Sequence, residues 1–390
     1  MKIIYKYKED ILYKMNQITN GHCNLCKSDN VYNNRCLDCG FSNKELYFIE
    51  RYINNKTHYY KLDFELSLKQ KKASNFFLEK YMKKENAYLN AVCGSGKTEI
   101  MYETINYALN NNDKVLIAIP RKEIVMELYN RLKEVFVNTT IKALDGLHHD
   151  DNAELLISTV HQLIHYEDEF DLIILDEADA YPFSFNDYLK RLLHKSLKKD
   201  GVLIVMSATE KEKIKYEKFT LNRRYHNHDL KMPEFYKINE EDVLYSKEFN
   251  NIISNKDRKF IIYTSSIKKA LYIGNILNSK VVSSKNEHTQ EIVEDFKRNN
   301  DKLLVSTTIL ERGITIKGLD VIIIDASSSV FTKETIIQIC GRVGRKIDDP
   351  IGNIYIFYQT NSLKFRRVRE YINRMNIWDV LFVINHFIMI

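Results

Sequence analysis

A chain of 390 residues has room for two or three domains, and its 44% hydrophobic and 28% charged residues are an ordinary balance for a globular protein. No stretch reaches the roughly 18 apolar residues that a membrane-spanning helix needs, and the start MKIIYKYKED, broken by charge every few residues, reads as no secretory signal. Six cysteines, four of them in closely spaced pairs, argue against a disulfide framework and for a metal site in a reducing cytosol; of the net charge of +6, all the excess lies within residues 1–88, with 16 Lys or Arg against 10 Asp or Glu.

The first section, residues 1–60, holds Cys23-Asn24-Leu25-Cys26 and Cys36-Leu37-Asp38-Cys39-Gly40. Each Cys-x-x-Cys puts two thiolates on one tight turn, and Gly40 suits the positive φ such a turn requires. Two turns make a tetrahedral four-sulfur site, for which Zn2+ is the favoured ion, in a structural role, with a redox pair or an iron–sulfur cluster as the alternatives. His22 adjoins it as a surface residue. This zinc-binding module is expected to fold around its own metal, so that losing Cys36 would loosen it and leave the rest of the chain folded. Tyr32, Phe41, Tyr47 and Phe48 lie among its Lys and Arg. Some of them are expected to form the small core around the metal, and any left exposed beside the cations would have the composition of a platform for single-stranded nucleic acid.

From 61 to 212, apolar runs at 87–92, 115–119, 155–157, 172–175 and 202–206 alternate with amphipathic segments. Alternating strands and helices predict a parallel sheet covered on both faces, the α/β class. Residues 213–238 are polar, lack such runs, and are expected to connect. The pattern resumes over 239–390 with runs at 260–263, 303–305, 321–324 and 354–357, giving a second α/β domain. The apolar 380–390, interrupted by Asn385 and His386, is expected to pack as a terminal element on it, with docking onto a partner or a membrane surface as the alternative.

Ala91-Val92-Cys93-Gly94-Ser95-Gly96-Lys97-Thr98 follows a predicted strand and opens a helix, the context of a phosphate-binding loop, with Ala91 where the strict pattern has Gly. The backbone of Gly94, Ser95 and Gly96 would turn its N–H groups onto phosphates and the helix start adds positive potential. Lys97 would reach the β- and γ-phosphates of ATP and Thr98 would give its hydroxyl to Mg2+. Asp176-Glu177-Ala178-Asp179 ends the run 172–175, which places Asp176 to hold Mg2+ and Glu177 to polarise the attacking water. Gln70 lies upstream of the phosphate loop at a position suited to reading the adenine edge.

Further along come Ser207-Ala208-Thr209, then Thr307-Thr308-Ile309-Leu310-Glu311-Arg312-Gly313-Ile314-Thr315, then Gln338-Ile339-Cys340-Gly341-Arg342-Val343-Gly344-Arg345. With the phosphate loop and the DEAD tetrapeptide they resemble, in order, the motifs of helicase superfamily 2 across most of residues 66–358. The four-cysteine module, the phrases TTILERGIT and DEADAYPF, and Arg224-Tyr225-His226 are similar to the ComFA family of late-competence ATPases, with Ala178 standing where that family is expected to have Val. DEAD-box RNA helicases usually carry a His-Arg-Ile-Gly-Arg form of the last motif. PriA is much longer, with its zinc sites near its second core domain.

The resemblance implies two tandem RecA-like P-loop domains behind the zinc module, and DNA-stimulated ATP hydrolysis driving translocation along single-stranded DNA during natural transformation. It implies Arg342 and Arg345 as arginine fingers across the domain cleft, Gln338 at the γ-phosphate or water, and Gly313 beside the nucleotide. Coupling would fall to Ser207, Thr209, Glu311 and Arg312. Pro120, Arg121, Ser158, Thr159 and His161 would grip the strand in the first domain, and Thr307 and Thr308 in the second. The implied partners are a ComFC-type protein and other competence proteins, at the inner face of the membrane and peripheral to it. Two alternatives stand beside this: an RNA-dependent ATPase or helicase, and a zinc-dependent nucleic-acid-binding scaffold that uses ATP only as a switch.

Overall fold

The computed structural model describes residues 1–4, 11–50, 56–144, 153–180, 182–209, 215–226, 228–255, 257–283, 289–311, 316–345 and 348–376. Tyr181, Arg312, Gly313 and the apolar run 380–390 lie outside the described residues, as does the side chain of Glu311. Contacts divide the chain into two compact units, 1–91 with 96–221, and 92–95 with the residues from 222 onward.

The first unit is built on a parallel sheet. Its strands run, edge to edge, Ile141–Leu144, Leu155–Thr159, Val115–Ile119, Phe170–Leu175, Leu197–Ser207, Ala87–Ala91 and Glu217–Leu221. Strands buried on both faces read as continuous apolar runs, which is why the five central strands, but not the edge strands Ile141–Leu144 and Glu217–Leu221, stand out in the sequence. The helix Leu68–Met82 starts on a capping box: Ser67 Oγ accepts from Gln70 N, and Gln70 Oε1 accepts from Ser67 N at 3.0 Å.

The second unit carries a parallel sheet in the order Glu234–Lys237, Ile354–Tyr358, Leu319–Ile323, Lys259–Tyr263, Leu303–Ser306 and Lys280–Val282. Its core gathers Ile261, Val321, Phe331, Ile337 and Val368, together with Val92.

The stretch 213–238 is more than a connector. It donates one edge strand to each sheet, Glu217–Leu221 and Glu234–Lys237. Edge strands here are largely solvated, so they carry no apolar run to betray them.

The N-terminal module is a small antiparallel sheet, ordered Lys2–Ile4, Glu45–Ile49, Ile11–Asn16, with two two-residue hairpins that lead into the cysteine turns. It does not stand apart from the first sheet. Ile3, Leu25, Leu46 and Phe48 share one core with Leu116, Ala118, Leu163, Leu192 and Leu193. Lys27 pairs with Glu167 at 2.8 Å, Arg191 pairs with Asp38, and the amino group of Met1 pairs with Glu169 at 2.6 Å. The module and the first sheet therefore share one apolar core within the first compact unit. Some fifty residues in strands this short cannot bury enough surface alone, and they share the apolar face of the neighbouring sheet instead.

Candidate active site and metal centre

The phosphate loop leaves the fully buried strand Ala87–Ala91 and enters the helix Lys97–Ile100. Gly96 sits at φ +75°, and a Cβ there would collide with Gln70 Nε2. The left-handed φ favours glycine here, and the loop passes directly beneath the Gln70 amide. The capping box that holds Gln70 Oε1 is thus also what aims its amide nitrogen at the loop. Lys97 Nζ lies 3.9 Å from Asp176 Oδ1. Thr98 Oγ1 accepts from Arg131 Nη1 at 3.4 Å, and Arg131 also pairs with Glu99.

Asp176 follows the strand Phe170–Leu175, its N–H donating to Ala118 O at 3.0 Å. Glu177 has φ +56°, rare for a residue with a side chain, and its N–H donates back to Asp176 Oδ1 at 2.8 Å. Such backbone costs roughly 1–3 kcal/mol and persists where surrounding structure imposes it, typically at functional sites. Here Ala178 N donates to Met206 O and Ala180 N to Glu177 O, which fix the turn on both sides. Asp179, not singled out in the sequence, accepts from Thr209 Oγ1 at 2.9 Å, both residues being buried. This bond joins the DEAD tetrapeptide to Ser207-Ala208-Thr209, where Ser207 Oγ donates to Thr209 O at 2.7 Å.

Of the expected strand-gripping residues, Pro120 and Arg121 end the strand Val115–Ile119 and start the helix Lys122–Val135. His161 is exposed, while Ser158 and Thr159 are buried, with Ser158 Oγ donating to Thr159 O at 2.9 Å. That turns the Ser158 hydroxyl inward.

Within the second unit, Thr307 and Thr308 follow the strand Leu303–Ser306 and are half-buried. Gln338 lies in the helix Lys333–Cys340 and accepts from Cys93 Sγ at 3.1 Å. Arg342 is buried, and Arg345 Nε donates to Gly341 O at 2.9 Å.

The four thiols of Cys23, Cys26, Cys36 and Cys39 lie within 4.8 Å of one another, with Cys23 to Cys39 at 3.9 Å and Cys26 to Cys36 at 3.5 Å. Tetrahedral zinc with bonds of about 2.3 Å would space its sulfurs by about 3.8 Å, so the four fit such an ion. The two turns match: Lys27 N donates to Cys23 O and Gly40 N to Cys36 O, with Lys27 at φ +55° and Gly40 at φ +76°. The Cys26 and Cys39 thiols donate to Cys23 and hold its pKa far below the usual thiol range. Gln17, absent from the sequence reading, is buried with its amide 3.9 Å from both Cys23 Sγ and Cys39 Sγ. Of the aromatics, Phe48 is core, stacked on Tyr13 at 4.3 Å, whereas Tyr32 remains 67% exposed.

Lys195 anchors the module from below. It is buried, and its Nζ donates to Leu25 O at 2.7 Å and Ile164 O at 2.8 Å. Burial pushes its pKa down to about 7, against the pull of Glu167 and the thiols. Lys195→Met would leave two buried carbonyls unsatisfied at about 1–3 kcal/mol each. The variant is expected to melt roughly 5–10 °C lower and to release zinc faster to a chelator. An unchanged melting temperature and release rate would show that these bonds carry no stability.

Residues 63–212 match the family described as "Type III restriction enzyme, res subunit", and residues 244–346 match "Helicase conserved C-terminal domain". The chain is 33% identical to competence protein ComFA of Bacillus subtilis over 336 residues, covering 80% of this chain and 73% of that protein. It is 32% identical to competence protein ComFA of Streptococcus pneumoniae over 360 residues, 86% of this chain and 83% of that one. The fold is shared with S. cerevisiae Dbp5 bound to RNA and ADP BeF3, at a TM-score of 0.58 and 18% identity, over 80% of this chain and 91% of Dbp5. Among the described residues no helix is long and apolar enough to cross a membrane.

Proposed function

The chain belongs to the ComFA family of competence proteins, an ATP-hydrolysing branch of helicase superfamily 2, and from that premise we propose that it is a translocase that pulls single-stranded DNA during natural transformation. The observation that carries the chemistry is the meeting of Lys97 and Asp176 across one parallel sheet. Lys97 binds the β- and γ-phosphates, Thr98 and Asp176 hold Mg2+, and Glu177 orients the attacking water. The metal supplies charge neutralisation on the phosphates. Arg342 and Arg345 stabilise the charge that builds on the γ-phosphoryl oxygens, and Gln338 lies close by in sequence to assist.

Thr209, bonded to Asp179, gives hydrolysis a route to the strand-binding surface, where Arg121, His161, Thr307 and Thr308 contact phosphates without reading sequence. Zinc in the four-thiol site holds the N-terminal module in register with the first sheet. The proposal extends to a ComFC-type partner and a cytoplasmic setting at the inner face of the membrane, both drawn from the family resemblance.

ATP turnover measured with single-stranded DNA, with RNA and with neither tests the reading. Single-stranded DNA is expected to stimulate strongly, with a steep loss of affinity as salt rises. Stimulation by RNA alone would assign an RNA-dependent ATPase, and none by either would assign an ATP-switched scaffold.

A further inference from the structure

Arg224 is 3% exposed and belongs to the unit that also holds 92–95. Its Nη1 donates to Val343 O and to Gly344 O, both at 2.6 Å. Among the described residues its Nε and Nη2 have no hydrogen-bond partner. Burial lowers its pKa, and the neighbours that act on its charge are Cys93, Cys340 and Tyr225, none of them a carboxylate. A guanidinium held this deep, with no carboxylate beside it among the described residues, is among the least favourable arrangements a side chain can take.

The two residues that follow hold the same place. Tyr225 N donates to Gly94 O at 3.1 Å, Tyr225 Oη donates to Arg345 O at 2.8 Å, and His226 Nε2 lies 2.9 Å from Gly344 O. The Arg224 side chain runs along the apex of the phosphate loop: an ideal Cβ on Gly94 would stand 3.8 Å from its Cγ, Cδ and Nε. Nε and Nη2 are the two nitrogens on one edge of the guanidinium. That edge is the one that pairs side-on with two oxygens of a phosphate, and Arg is suited to such pairing where Lys is not.

We propose that Arg224 is a nucleotide-binding residue whose Nε–Nη2 edge takes a phosphate oxygen pair of the ATP held by the loop, in addition to Arg342 and Arg345. The assignment rests on reading 91–98 as the ATP site. The carbonyls of Val343 and Gly344 fix the guanidinium by its other nitrogen, so the phosphate-binding edge is oriented before ligand arrives. The three consecutive residues also tie the loop to the segment carrying Arg345, so the state of the phosphate and the position of that segment are read by one side chain.

The test is equilibrium titration of the full chain with Mg2+ and a non-hydrolysable ATP analogue, and separately with ADP, beside the thermal midpoint of the nucleotide-free protein. Arg224→Gln is expected to bind the analogue at least tenfold more weakly. Its nucleotide-free midpoint should be equal or higher, because an uncompensated buried charge is gone while the amide still donates to one carbonyl. ADP affinity retained would place the contact on the γ-phosphate, and ADP affinity lost would place it on the β-phosphate. Analogue binding within twofold of the parent overturns the proposal. So does a lower nucleotide-free midpoint, which would make Arg224 a bracket between two segments. Should the glutamine variant fail to fold, Arg224→Lys is read instead: several-fold weaker binding supports the proposal, and parental binding overturns it. Lys97→Ala separates the layers. Parental affinity there removes the ATP-site reading and Arg224 with it, whereas weak binding there beside parental binding in Arg224→Gln removes Arg224 alone.

Discussion

Arg345→Ala is expected to lower ATP turnover by about 10³–10⁵-fold, the range an arginine finger contributes in phosphoryl transfer, while ATP affinity falls far less. The reason is when the contact matters. Charge grows on the γ-phosphoryl oxygens as the bond to the leaving group breaks, so a guanidinium placed there stabilises the transition state more than the bound ground state. The structure gives Arg345 a fixed starting point, with Nε bonded to Gly341 O at 2.9 Å and its carbonyl taken by Tyr225 Oη. Arg345→Lys should recover little, because an ammonium on a flexible stem lacks the planar fork. Single-turnover rates beside nucleotide affinities decide the matter. An unchanged rate constant would take Arg345 out of the reaction, and an equal fall in rate and affinity would mean ground-state binding.

Glu177→Gln is expected to bind ATP at near-parental affinity and lose hydrolysis, whereas Lys97→Ala loses both. The amide keeps the shape of the carboxylate and the unusual φ of +56°, so the turn that carries it is undisturbed. What it cannot do is orient and polarise water as a carboxylate does. Lys97 differs because its charge meets the phosphates in the ground state, at a site where it already faces Asp176 at 3.9 Å. Nucleotide trapping by the first variant and its absence in the second is the expected pair of observations. Near-normal turnover in Glu177→Gln would assign the water to another residue.

The candidate chemistry-bearing stretches can be read from local residue order. Gly94-Ser95-Gly96-Lys97-Thr98 and Asp176-Glu177 are legible because a strand, a turn and a helix start are set by residues within five positions of one another. The four cysteines are legible for the same reason, since each pair occupies one turn. The buried parallel strands announce themselves as apolar runs because both of their faces are covered.

Contacts between residues far apart in the chain could not be read in this way. Lys195 is of a type that normally stays in water, and nothing near it in sequence says that it ends beneath Leu25, 170 positions away. Asp179 is simply the last letter of a tetrapeptide until Thr209 folds against it. Phe48, which stood among cations as a candidate stacking platform, belongs to a core shared with Leu116 and Leu163. The strands Glu217–Leu221 and Glu234–Lys237 hide in polar sequence because a sheet edge leaves them largely solvated. Arg224 was visible only as part of a family-like phrase. Its burial and its bonds to the carbonyls of Val343 and Gly344 are fixed by packing and chain topology, which local residue patterns do not encode.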